Sequence, residues 1–155
     1  MKTKKEWLIS VRMLSAIARY DTSLSFSAFL KEHKSLSPTD TERQITVHQA
    51  VLSFENGGYE LILPGDGKDE TRILWKTGNP KVTVLRRGEM QSEMHFRPRA
   101  KTRTVYRTPF GTLEGELFTE EIQNTLTPER GFLAIRYIMS LGGSLQACTV
   151  KITAD

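Results

Sequence analysis

The chain has 155 residues, 38% of them hydrophobic and 26% charged, with 22 lysines and arginines against 18 acidic residues for a net charge of +4. That length fits one domain, expected to span 1–155 and able to bury a core without covalent staples. The only cysteine, Cys148, excludes an intramolecular disulfide, and no run of about 18 apolar residues is present to span a bilayer.

The N-terminal Met-Lys-Thr-Lys-Lys-Glu-Trp lacks the apolar run and cleavage site of a signal peptide, so a cytoplasmic protein is expected. Trp7, Ile9, Val11 and Met13 alternate like a strand, while Leu8, Val11, Leu14 and Ala18 suit a helical face; the strand is favoured. Residues 23–34 read either way: Leu24, Phe26, Ala28 and Leu30 alternate with serines, and Phe26, Phe29, Leu30 and His33 would share one side of a helix. Ser35 to Thr41, with Pro38, reads as a loop.

From there on the chain is written as strands, near 44–54, 59–63, 71–76, 82–87, 90–97, 101–108, 112–119, 131–139 and 145–153. Turn signals divide them, among them Asn56-Gly57-Gly58, Pro64-Gly65-Asp66-Gly67, Thr77-Gly78-Asn79-Pro80, Arg87-Gly88 and Gly142-Gly143. Met90, Met94 and Phe96 share one parity, as do Leu133, Ile135, Tyr137 and Met139, which predicts a sheet with one apolar face. The regular spacing predicts an all-β fold, a single antiparallel up-and-down barrel of about 8–10 strands.

One hairpin has a register legible in advance. In Thr108-Pro109-Phe110-Gly111, proline presets the first central turn position and glycine suits the last, which sets Arg107 opposite Thr112. Tyr106 then faces Leu113 and Thr102 faces Leu117, with Arg103 opposite Glu116 and Val105 opposite Glu114 on the other face. A shift of one residue would mix the two faces.

In the order and spacing of Arg86 and Gly88, Met94 and Phe96, Tyr106, Phe110-Gly111, Thr119, Leu126, and Gly131 leading to Ile135 and Tyr137, the chain resembles the YwiB-like family of bacterial proteins of unknown function. The likeness covers roughly 45–155 and implies a calycin-like β-barrel, but no activity. Leu61-Ile62-Leu63-Pro64 stands where relatives tend to carry acidic residues, and residues 20–42 look like an insertion or a poorly matched strand.

A small closed barrel can hold one ligand inside, which makes inward polar residues the candidates. Arg86 shares parity with Val82 and Val84, while Tyr106 and Tyr137 lie on apolar faces, so these three are the candidate site for a small, partly apolar anion. For Arg86 itself the favoured reading is structural, that it closes the barrel end over Trp7; both readings place it away from bulk water. Arg97, Arg99, Lys101, Arg103 and Arg107 share odd parity and form a basic ribbon that could contact nucleic acid or an acidic protein. With Glu114 and Glu116 across from it and Tyr106 turned to the core, a solvated outer face is the favoured reading of the ribbon. His33, His48 and His95 are isolated, and neither a Gly-x-Ser-x-Gly elbow nor metal-ligand spacing occurs, so no catalytic residue, metal or cofactor is assigned. Gly65 to Thr71 lacks the Gly-Lys-Ser/Thr of a phosphate loop and reads as a hairpin turn.

Overall fold

The computed structural model describes residues 3–155. Ten strands run in chain order: β1 (Lys5–Tyr20), β2 (Asp40–Glu55), β3 (Gly58–Pro64), β4 (Glu70–Lys76), β5 (Val82–Arg87), β6 (Gln91–Phe96), β7 (Lys101–Thr108), β8 (Gly111–Asn124), β9 (Phe132–Leu141) and β10 (Ser144–Ala154). Each pairs antiparallel with its sequence neighbours, and β1 also pairs with β10, which closes the sheet into a barrel. Closure removes the unpaired edges that an open sheet would leave.

Alternation along each strand divides an apolar interior from a polar outer wall. Ile9, Leu52, Leu61, Ile73, Val84, Met94, Leu117, Ile135 and Ile152 all belong to one buried interior cluster. Trp7 packs against the same cluster, and Tyr59 stacks on Trp75 with ring centroids 5.3 Å apart. Met90 is a correction: it stands in the turn ahead of β6 and is exposed, because parity carries no meaning past the end of a strand.

The ambiguous segment is a helix. The seven-residue α1 (Phe26–Glu32) begins where Ser25 Oγ accepts a hydrogen bond from the Ala28 amide at 3.2 Å, and a 3-10 turn (His33–Ser35) continues it. A helix this short is marginal alone and is held by packing. Phe29 is fully buried against Ile138 and Leu145, which face outward from β9 and β10, with Tyr20 edge-on at 5.0 Å. The alternating serines of 23–34 lost to this second, external apolar cluster. β2 begins at Asp40, inside the expected loop, and Thr39 donates its amide to the Arg19 carbonyl at 2.9 Å.

The β7–β8 hairpin has the expected register, with Tyr106 opposite Leu113, Thr102 opposite Leu117 and Val105 opposite Glu114. Its apolar face stops short of the tip, where Leu113 and Phe110 are exposed. Further along β8 a bulge between Thr119 and Glu121 leaves Glu120 without a partner in the ladder.

Candidate functional site

Arg86 pairs in register with Thr71 on β4 and Ser92 on β6, and Ser92 pairs with Tyr106, so these residues form one rim of the barrel wall. Arg86 keeps the parity of Val82 and Val84, yet its side chain is exposed. This exposure corrects both expectations that shielded it from bulk water: β5 ends one residue later, so Arg86 stands at the rim, where its charge still acts on Tyr106 and Tyr137.

Tyr106 and Tyr137 pack against the interior cluster instead. Tyr106 Oη donates to Met94 Sδ at 3.5 Å, and the Tyr137 ring meets Phe96 edge-on at 4.8 Å. Burial raises both phenol pKa values, that of Tyr137 well above the ordinary range, while the Arg86 charge pulls weakly the other way. Cys148, paired in register with Tyr137, has its thiol pushed up to about 11 by burial. The buried hydroxyls of Ser92, at this rim, and of Thr119 have no hydrogen-bond partner among the described residues.

The exposed guanidinium joins other company. Arg86, Arg87, Arg103 and Arg107 line one groove of about 350 Å³ along the outer ends of β5, β6 and β7, together with the apolar Leu85 and Val105. Its one acidic lining residue, Glu93, lies 3.3 Å from His95 Nε2. None of the four arginines forms an ion pair among the described residues; Arg103 stands opposite Glu116 in register without closing one. Unpaired guanidiniums around one groove repel one another, and an oxyanion taking forked hydrogen bonds from them relieves that repulsion.

The basic ribbon is divided. Residues 97–100 form a turn in which the Ala100 amide reaches the Arg97 carbonyl at 3.1 Å and Arg99 adopts φ of 60°. Arg97 stands in that turn, Arg99 and Lys101 border α1, and Arg103 and Arg107 join the arginine groove. All five are exposed, as expected, but the ribbon has aromatic company: the Arg99 guanidinium lies 5.0 Å over Phe118, and Lys101 Nζ lies 5.8 Å from the Phe26 ring. Phe118 is the register partner of Lys101, a pairing implied by the hairpin argument itself. Arg87 was equally legible, one residue from Arg86 on the outer parity. Lys31, Lys34 and Glu120 carried no such signal, because the segment holding the lysines had no settled period and Glu120 sits in a bulge.

The fold and these grooves define a class: an all-β closed barrel with a packed interior and charged clefts on its outer wall. Residues 38–152 match the family described as a domain of unknown function, DUF1934. The chain belongs to that family. Among curated proteins it is 34% identical over 106 residues to the uncharacterized beta-barrel protein YwiB of Bacillus subtilis strain 168, covering 61% of this chain and 73% of that protein. The crystal structure of the ywiB protein from Bacillus subtilis superimposes with a TM-score of 0.65 at 21% identity, over 97% of this chain and 93% of that one, which shows a shared fold. No helix among the described residues is long and apolar enough to cross a membrane.

Proposed function

We propose that this protein is a non-enzymatic, cytoplasmic binding module for a small, partly apolar anion, held on the outer barrel wall by Arg86, Arg87, Arg103 and Arg107. The observation that carries the reading is the set of four arginines, none ion-paired among the described residues, around one groove whose one described carboxylate is already turned to a histidine. Guanidinium forks suit a carboxylate or phosphate, and Leu85 and Val105 offer apolar surface to the rest of the ligand. The interior is a poorer host, since Leu52, Leu61, Leu117 and Ile135 already pack it. Contact with a nucleic-acid backbone along 97–107 is the second reading. The Phe118 ring beside Arg99 favours it, whereas the division of the ribbon by the 97–100 turn weighs against it.

Isothermal titration calorimetry with phenyl phosphate tests the proposal. Saturable binding is expected, weakened on the order of tenfold by Arg103→Ala and again by Arg107→Ala, the scale of one charge-assisted hydrogen bond each. Undiminished binding by the double variant would refute it, and tight binding of a single-stranded oligonucleotide at physiological ionic strength, lost in Arg99→Ala, would promote the second reading.

A further inference from the structure

We infer that the groove beneath α1 is a second ligand site, selective for a small anion that carries a hydrogen-bond donor on an apolar body, the chemistry of a 2-hydroxy or 2-amino acid with an apolar side chain. Glu120 is the residue on which the site is built. The β8 bulge takes it out of the strand ladder and turns it beneath the helix, where its side chain retains only 10% exposure. It borders two grooves there, of about 570 and 580 Å³, on either side of the 3-10 turn.

The Glu120 side chain is nine-tenths buried, and its carboxylate accepts no hydrogen bond among the described residues. Its nearest basic groups are His33 Nε2 at 3.8 Å and Arg136 Nε at 3.6 Å, both beyond hydrogen-bond length. Burying a carboxylate with its acceptor capacity unspent is costly. His33 is held back from it: Nδ1 lies 3.2 Å from the Phe29 carbonyl and 3.3 Å from that of Leu30, and because carbonyls only accept, Nδ1 donates and ties the ring to the helix. Held by loose ion-pair contacts but by no hydrogen bond, the carboxylate keeps acceptor capacity for a ligand in the groove.

Around it the larger charge is positive. Lys31, Lys34, Arg99 and Lys101 line the first groove with Glu120 as their only acidic companion. Two of these cations are positioned, Arg99 by the Phe118 face and Lys101 by donating to Ser27 Oγ at 3.3 Å. Leu30, Phe118 and Ile138 supply the apolar wall. A simple anion is drawn by the rim and repelled by Glu120, and a simple cation meets the reverse. A molecule with an oxyanion for the rim, a hydroxyl or ammonium for Glu120 and an apolar side chain for the wall meets all three. This site shares no residue with the arginine groove, so it stands or falls separately.

The test is a two-dimensional amide NMR titration with three probes: 2-hydroxy-3-phenylpropanoate, L-phenylalanine, and 3-phenylpropanoate, which lacks the donor. Saturable shifts at α1, Phe118 and Glu120 are expected with the hydroxy or amino acid, and about tenfold weaker binding of 3-phenylpropanoate, one hydrogen bond to a charged group being absent. Glu120→Ala should erase that preference while binding persists, and Arg99→Ala on the exposed rim should weaken all three probes. Should Glu120→Ala disturb α1, Glu120→Gln, which keeps the shape and loses the charge, should still reduce the preference for L-phenylalanine. Equal binding of the three probes to the unaltered protein, a preference that survives at both Glu120 variants, shifts confined to the arginine groove, or no saturable binding would each overturn the inference.

Discussion

Cys148 shows how a side chain's surroundings set its chemistry. Burial raises its thiol pKa from 9.0 to about 11, so the folded state holds the proton more tightly than the unfolded chain. The sign follows: this contribution to stability is fully present below the unfolded value of 9.0 and is lost as pH climbs through about 11. A shift of that size corresponds to on the order of 2–3 kcal/mol. Urea unfolding should therefore show a lower midpoint at about pH 10.5 than at pH 8, with much of the difference removed by Cys148→Ala; equal midpoints would contradict the buried-thiol account. The tyrosines add to the same alkaline limb, since burial raises Tyr106 and Tyr137 as well. Gly131 is the sharpest backbone constraint. It sits at φ of 93° just ahead of β9, and a Cβ there would run into the Thr125 carbonyl oxygen. Gly131→Ala should cost about 2 kcal/mol or more, against about 1 kcal/mol for Gly57→Ala, whose Cβ meets open space, as read from their urea midpoints.

Among the elements, α1 is distinctive because its apolar cluster lies outside the barrel. Phe29, Ile138 and Leu145 form a core separate from the interior one. Phe29→Ala removes about 3–5 kcal/mol of packing of this kind, more than a seven-residue helix can replace by itself. The expected result is a barrel that keeps its near-ultraviolet dichroism from Trp7 and Trp75 while limited proteolysis cleaves within 22–36. Loss of both signals together would show that helix and barrel fold as one unit. The strands were legible in advance because a half-buried antiparallel strand repeats every two residues and its turns need glycine or proline; the Pro109-Phe110-Gly111 turn even fixed the register of Tyr106 against Leu113. The helix was not, because Phe26, Phe29, Leu30 and His33 satisfy a helical face while the neighbouring serines satisfy a strand. The choice was made by Ile138 and Leu145, more than 100 residues away. The bulge at Glu120 left no mark in the pattern at all.

For the whole molecule, closure decides where function can reside. Pairing β1 with β10 turns every inward parity into packed interior, so a candidate site argued from parity alone was drawn toward the lumen. Arg86 shows the limit of that argument: parity gives its face, but it stands exposed one residue from the end of β5 and lines one groove with Arg87, which neither candidate set held, and with Arg103 and Arg107 of the basic ribbon. The net charge of +4 is mild, and attraction to an anion rests on this local clustering, which salt screens. The proposed anion site lies on the outer wall and not in the lumen. Amide NMR shifts on titration with phenyl phosphate test it most directly. Saturable shifts concentrated at Leu85–Arg87 and Arg103–Arg107 that fade as salt is raised are expected; shifts centred on the interior residues Met94, Phe96, Tyr137 and Cys148 would contradict an outer-wall site.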